Sequence, residues 1–529
     1  MSKDNLKLYR NIGFIICIAV YVFFSWHSDD AYHAYIMAKN LVEGNGFVYN
    51  VGERVNASTC PLFTLCVAAV YYICRNMFIS GLAVGVLFSA LAIYIVLYKV
   101  ARTKQQIIFS TIALVGSTCY VTYTTAGLEN SLLYFLSAVF YYIFFKKDEY
   151  SNMELFLMGL AVGLVGVTRM DAVLFFVIPV CYAYLFKRKE CSFIKCVGIG
   201  LISLSPFILW ELFSLFYYGF FIPNTAFAKL NTGIARMEYV ERGVYFLQVS
   251  CVYDVFLAII PLVYLIVCVV HCNIKRSLSI VSMAAYLAYV IYIGGDFMVG
   301  RHLTVLYFIS VLGCVFLMRE YEKNERIDIV ILGSVLLALS VNAVIPSTYV
   351  KQYMYGGIYS KYQGGVADER AFYSPKTSLR SNIRYVLKGD DNLIVRSTWG
   401  MNDYSQFKDA KGVVLSWAPG IVVYYDNKKI HMVDEYALGD PLLSKLPVVY
   451  VDNWRVGHTY RMIPEGYRES LATMTNQIED KSLREYYEKL LLVVRGELFS
   501  TERIKTIIDM NLGKYDYLLE QYQNSINGG

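Results

Sequence analysis

Residues 3–30 read KDNLKLYRNIGFIICIAVYVFFSWHSDD. Lys3, Lys7 and Arg10 precede an apolar stretch, as in a secretory leader, but His27-Ser28-Asp29-Asp30 follows where a small-residue cleavage site would stand. The segment therefore reads as a retained first membrane span, with its amino end inside and Asp29 and Asp30 delivered to the outer face. Apolar windows near the ~20 residues needed to cross ~30 Å of hydrocarbon recur from Ile12 to about Ile345. With 57% of the 529 residues hydrophobic, 17% charged and a mean hydropathy of +0.44, the chain belongs to the membrane class.

Basic clusters mark inside loops, and they fall at 3–10, 99–104, 146–147, 187–195, 275–276 and 319–326. Spans are then expected at 11–27, 79–98, 106–122, 130–145, 154–169, 171–186, 196–217, 246–270, 278–295, 303–318 and 327–345. That makes about eleven spans, with a first outer loop at 28–78 and the carboxyl end outside. Residues 62–77 are apolar enough to span, yet counting them would turn the Lys99–Lys104 cluster outward, so Pro61 to Cys74 is read as a helix in or re-entering the outer leaflet.

From 346 to 529 the chain is polar. Short β-rich runs (Asn392 to Ser397, Gly412 to Trp417, Ile421 to Tyr425, Lys429 to Val433, Val448 to Asp452) alternate with helical stretches near 378–388 and 467–520. The fold class is thus a multi-pass α-helical membrane protein over 1–345 with a C-terminal α/β extracytoplasmic domain. A net charge of +6 in scattered clusters makes nucleic acid an unlikely partner, and the twelve cysteines, all between Cys17 and Cys314, show no metal-ligand spacing.

Asp29 and Asp30 stand where a membrane-embedded substrate meets water. A carboxylate there can deprotonate an acceptor hydroxyl or hold a divalent cation, and the plainer reading is a solvated helix cap. Around them run Asp29-Asp30-Ala-Tyr32-His33-Ala-Tyr35, Gly44-Asn45-Gly46-Phe47, Gly52-Glu53-Arg54 and Thr59-Cys60-Pro61-Leu62. Further motifs are Thr125-Ala-Gly127-Leu128-Glu129, Thr168-Arg169-Met-Asp171, Ile222-Pro223-Asn224-Thr225 to Lys229, and Gly294-Gly295-Asp296-Phe297-Met298-Val-Gly300-Arg301. In the polar region come Val433-Asp434, Leu438-Gly-Asp440-Pro441, Arg455-Val-Gly457-His458 and Ile463-Pro464-Glu465-Gly466-Tyr467.

This series resembles the GT-C glycosyltransferases, most closely the family of the mycobacterial terminal β-(1→2)-arabinofuranosyltransferase. The resemblance implies a GT-C fold in a bacterial inner membrane, a polyprenyl-phospho-sugar donor, a glycan acceptor, catalysis in an outer cavity and a periplasmic C-terminal domain. It also implies a carboxylate of the first loop as general base. That role falls on Asp29, with Asp30 orienting the acceptor or binding a cation. Glu129 is a second acidic candidate, read alternatively as a first-turn carboxylate favoured by the helix dipole.

A departing polyprenyl phosphate needs cations, for which Lys229, Arg301 and Arg169 are the candidates, with His302 behind them. Arg169 and Asp171 alternatively pair with each other across a tight hairpin. His33, Arg54, Asp171, Asn224, Asp296 and His458 are read as lining the substrate cavity, and His27 as polar lining beside the aspartates. Cys60 stands where relatives commonly have Asn, and His33 where a small or hydroxyl residue is common.

The expected activity is inverting transfer of arabinofuranose or another pentose. The alternatives are transfer of a different sugar, such as mannose or aminoarabinose, and transport of a lipid-linked sugar. The absence of an internal repeat and the gathering of charge at one face argue against transport.

Overall fold

Helix dominates because an apolar segment in lipid has no hydrogen-bond partner except its own backbone. A computed structural model of the chain describes residues 3–189, 192–230, 232–271, 273–322, 324–344, 365–389, 412–416, 420–424, 430–452 and 454–527. Among them four helices are long and apolar enough to cross a membrane: Asp4–Phe23, Met77–Val100, Ile274–Tyr292 and Leu303–Glu320. The number rises to six if two bent pairs each count as one span, Phe193–Ser203 with Ser205–Tyr218 at 52° and Arg236–Tyr253 with Phe256–His271 at 99°. Pro61–Cys74 is a helix with the expected bounds, and Asn152–Thr168 and Val177–Phe186 are likewise short and apolar.

Several expected spans are broken, for local reasons. The window 106–122 forms two helices, Lys104–Gly116 and Thr118–Tyr123, because the Ser117 side chain caps the second by accepting the Tyr120 amide. The window 171–186 opens with a 3-10 turn, Met170–Phe175, before its helix begins. The 99° bend is organised by Asp254, a fully buried carboxylate inside an apolar window. It accepts the Phe256 amide at 3.2 Å, which satisfies that amide at the bend, and ties the bend to the start of the helix Thr118–Tyr123 by accepting the Ser117 hydroxyl at 2.6 Å and the Cys119 amide at 2.8 Å.

The chain divides into two compact units that interleave in sequence and do not part at 345. The first comprises Met1–Ser28, Phe78–Phe207 and Arg236–Val395. At its centre runs the helix Leu303–Glu320, buried along most of its length against Lys104–Gly116, Asn130–Lys146 and Phe256–His271. The second comprises Asp29–Met77, Ile208–Ala235 and Arg396–Gly529. Val55 and Ala228 join Val433, Leu442, Tyr467, Leu483, Leu490 and Ile507 in its core, so the first outer loop folds as part of the C-terminal body.

Of the β-rich runs, two pair. Strand β1, Gly412–Ser416, lies parallel to β2, Ile430–Asp434, with Gly412 opposite Ile430 and Ser416 opposite Asp434. The run expected as a strand from Ile421 is instead a helical turn, Ile421–Tyr424, whose first amide donates to the Asp29 carboxylate. Val448 forms only an isolated antiparallel bridge to Arg461, and Asn392 to Ser397 lies outside the described residues.

The helices Arg236–Tyr253 and Ile274–Tyr292 pack together at Gly243, where an added Cβ would collide with the Ile291 carbonyl. Gly198 sits in a helix with open space around it. Gly243→Val should therefore cost about 1–3 kcal/mol by overpacking, whereas Gly198→Ala should be neutral or stabilising by up to ~1 kcal/mol. Thermal unfolding in detergent checks both: equal melting midpoints for the two variants would contradict the helix contact.

Candidate functional site: an ion cluster and a buried aspartate

In the first unit, three helix ends converge on one set of charges. Glu129 occupies the N-cap position of the helix Asn130–Lys146, yet its side chain makes no capping bond. It turns to two guanidiniums instead. Arg169 Nη1 donates to Glu129 Oε1 at 2.9 Å, and Arg301 Nη2 donates to both Glu129 oxygens at 3.1 and 3.2 Å. Arg169 also forks onto Asp171, with Nε–Oδ1 at 2.7 Å and Nη2–Oδ2 at 3.1 Å. Its Nη2 lies 2.9 Å from His302 Nε2, and Asp296 Oδ2 stands 3.3 Å from the same ring nitrogen.

The cluster is close to dry, with Glu129 only 1% exposed. Burial alone would raise the Glu129 carboxyl, but Arg301 and Arg169 outweigh it and hold the group below the usual range. Burial, followed by the Arg169 charge, lowers His302 and favours the neutral ring. Three carboxylates thus face two guanidiniums and a neutral imidazole. The hairpin pairing of Arg169 with Asp171 is present, and both arginines that the sequence offered to a phosphate are engaged by carboxylates.

In the second unit, Asp29 is buried and accepts the Ile421 amide at 2.8 Å. A Cβ at Gly420 would lie 2.5 Å from the carboxylate, so only glycine lets the backbone close over it. Burial pushes the Asp29 carboxyl up to about 6, against the pull of the Ile421 amide. Asp30 occupies the N-cap position of the helix Ala31–Val42 without a side-chain capping bond. His33 stacks on Tyr49 with ring centroids 5.4 Å apart, near enough to Asp29 and Asp434 to favour both carboxylates. Lys39 donates to the Tyr424 carbonyl at 2.9 Å, and Tyr32 meets the Tyr424 ring edge-on.

Other predicted cavity residues serve the fold. The Asn224 amide donates to the carbonyls of Ala437, Leu438 and Asp440 at 2.9–3.1 Å and accepts the Ser444 hydroxyl at 2.8 Å. Arg54 donates to the Gly496 carbonyl. His458 contacts Arg455 Nη2 at 2.6 Å and packs edge-on to Tyr436, 4.8 Å between centroids. Lys229 is exposed, its stem passing the Gly457 turn beside His458. His431 faces buried Glu53, which pairs with Arg495 at 3.0 Å. His27, in the first unit, stacks on Phe78.

Asp434 and Asp440, quoted among the motifs without an assigned role, organise loops. Asp434 accepts the amides of Tyr436, Leu438 and Gly439, and Asp440 accepts those of Leu442 and Leu443 together with the Tyr467 hydroxyl. Among the described residues no group of three or more His, Cys, Asp and Glu side chains is placed to hold a metal ion. The ten described cysteines form no disulfide with one another. No family model, curated protein or solved structure matches the chain.

Removing the Glu129 charge leaves two buried guanidiniums short of a partner. Glu129→Gln should therefore destabilise the fold by about 3–5 kcal/mol, seen as a lower melting midpoint in detergent. An unchanged midpoint would show that the cluster does not hold the helix ends.

Asp29 carries the opposite sign. Because its folded carboxyl titrates near 6, above an ordinary aspartate at about 3.9, the folded state binds the extra proton. Its contribution should weaken stability as pH rises through that window, and Asp29→Asn should flatten that part of the stability profile. A wild-type slope retained in the variant would assign the titration to another group.

Proposed function

We propose that the chain is a polytopic GT-C-type glycosyltransferase that moves a sugar from a polyprenyl-phosphate donor to a cell-envelope glycan or lipid-linked acceptor. In this reading about eleven spans cross the bacterial inner membrane, some as bent or short helices, and the α/β domain lies on the periplasmic side. The sugar is arabinofuranose or another pentose, from the resemblance of the first-loop motifs. Transfer of a different sugar would use the same fold and mechanism.

The observation that carries the reading is Asp29. A carboxylate directly after the first helix is buried, closed over by Gly420 and shifted to about 6. Such a group is mostly ionised at neutral pH yet basic enough to take a proton, the balance a general base requires. It accepts the proton of an acceptor hydroxyl as that oxygen bonds to the anomeric carbon. The anomeric C–O bond to the donor phosphate breaks with its electron pair leaving on the phosphate, and the anomeric configuration inverts. Lys229, exposed beside the Gly457 turn, is the cation assigned to the departing phosphate in this reading.

The test is transfer from synthetic polyprenyl-phospho-arabinofuranose to a panel of glycan acceptors by the purified full chain, with and without chelator. Wild type should give product with an acid limb near pH 6, and Asp29→Asn should lose about 10²- to 10⁴-fold in rate. Full activity in Asp29→Asn would remove the base assignment. No product from any pentose or hexose donor by folded protein would favour lipid-linked sugar transport.

A further inference from the structure

The helix Thr501–Asn511 of the second unit divides its circumference three ways. At 3.6 residues per turn, Arg503, Thr506, Ile507 and Met510 share one edge, and all four are buried. Ile507 and Met510 enter the core of the unit. Ile504 and Ile508 form a second edge, which Leu512 continues at the C-cap, and all three are exposed, Ile508 at 54% and Leu512 at 79%. Glu502, Lys505 and Asp509 take the remaining edge, where Asp509 pairs with Lys514 at 2.9 Å. Water suits the charged edge and disfavours the apolar one, so the two call for different surroundings.

Two side chains fasten this helix to the end of an apolar one. Arg503 donates from Nη1 to the Phe216 carbonyl at 2.9 Å and from Nη2 to the Tyr217 carbonyl at 2.8 Å. Both carbonyls lie in the last turn of Ser205–Tyr218, which together with Phe193–Ser203 forms a bent pair long and apolar enough to cross a membrane. The last carbonyls of a helix have no partner within it, so a cation there satisfies them and the helix dipole. Asn511 donates to the Gly219 carbonyl at 2.7 Å, so the helix Thr501–Asn511 is held near both of its ends to the same place.

Apolar surface continues across this junction. Leu209, Leu212 and Phe213 are exposed on one face of Ser205–Tyr218, and Phe216 extends that face at helical spacing. Phe216 packs on Phe499, ring centroids 5.3 Å apart, and Phe499 is 76% exposed just before the attached helix begins.

We propose that Phe499, Ile504, Ile508 and Leu512 lie in the interface of a lipid bilayer, so that the helix Thr501–Asn511 anchors the C-terminal body to the membrane surface. A helix tied to the last carbonyls of a membrane-crossing segment stands at headgroup level, where an apolar edge enters the acyl boundary and a charged edge stays in water. In the topology read from the basic cluster at 187–195, this is the outer leaflet. A second copy of the chain could cover the same edge, but continuity with the apolar face of a span favours lipid. The proposal rests on the membrane reading of Ser205–Tyr218 and is independent of sugar transfer.

The test places p-benzoylphenylalanine singly at Ile508, Leu512, Glu502 and Leu212 of the full chain in phosphatidylcholine nanodiscs and identifies the adducts formed on illumination by mass. All four side chains are exposed, so the substitutions remove no core contact. Positions 508 and 512 should give lipid adducts at roughly fivefold the yield of position 502, and position 212 should also give them. Lipid adducts at 212 with none at 508 and 512 would overturn the proposal and leave the span intact. Cross-links from 508 or 512 to a second chain would overturn it in favour of a dimer face, and equal lipid yields at 502, 508 and 512 would remove the distinction between the two edges. Absence of lipid adducts at 212 as well would overturn the membrane reading of that helix together with the anchor.

Discussion

The Glu129 carboxylate, almost without solvent, lies between two guanidiniums that arrive from different parts of the chain. An unpaired charge in so dry a place would cost several kcal/mol, so the three segments that carry the charges are constrained to meet. Glu129 begins the helix Asn130–Lys146, Arg169 follows the helix Asn152–Thr168, and Arg301 precedes the helix Leu303–Glu320. Their pairing sets these three helix ends at one level, which apolar packing alone, tolerant of sliding along a greasy surface, does not do.

The second unit solves a different problem. Its first loop and its C-terminal segment are far apart in sequence, and polar side chains fasten them by imitating backbone. The Asn50 amide donates to the Met432 carbonyl at 2.9 Å and accepts its amide at 3.0 Å, so one side chain occupies the edge of β2 as a neighbouring strand would. Asn224 does the same for the loop at 437–440, and Asp434 and Asp440 collect the amides of the turns on either side. A motif rich in Asn, Asp and Gly is therefore not by itself a ligand site. Here much of that chemistry is spent on loops that have no ladder to join.

Charge accounting separates the roles of the cations. Arg169 and Arg301 face three carboxylates, one negative group in excess while His302 is neutral, whereas Arg370 and Arg380 lie over the rings of Phe24 and Phe23. A guanidinium over an aromatic ring meets it with its face, and a guanidinium in a carboxylate fork meets its partner with its N–H edge. Residue type and position relative to a span do not distinguish these two states.

The sequence by itself determined that the chain is mostly helical with apolar helices long enough to cross a membrane, that Pro61–Cys74 is a helix, and that Asp29 and Glu129 stand at the ends of apolar segments. Hydropathy and helical period act locally, and lipid permits few alternatives to helix. Pairing of the carboxylates was legible only where the partners are close in sequence, as for Arg169 and Asp171. The tertiary structure decided the rest: that Ile421–Tyr424 is a helical turn closed on Asp29, that Asn224 is a fastener, and that three arginines near the end of the first helix share one wall. Each depends on groups brought together across tens or hundreds of residues, where a desolvated charge or amide takes whichever partner the fold brings within reach.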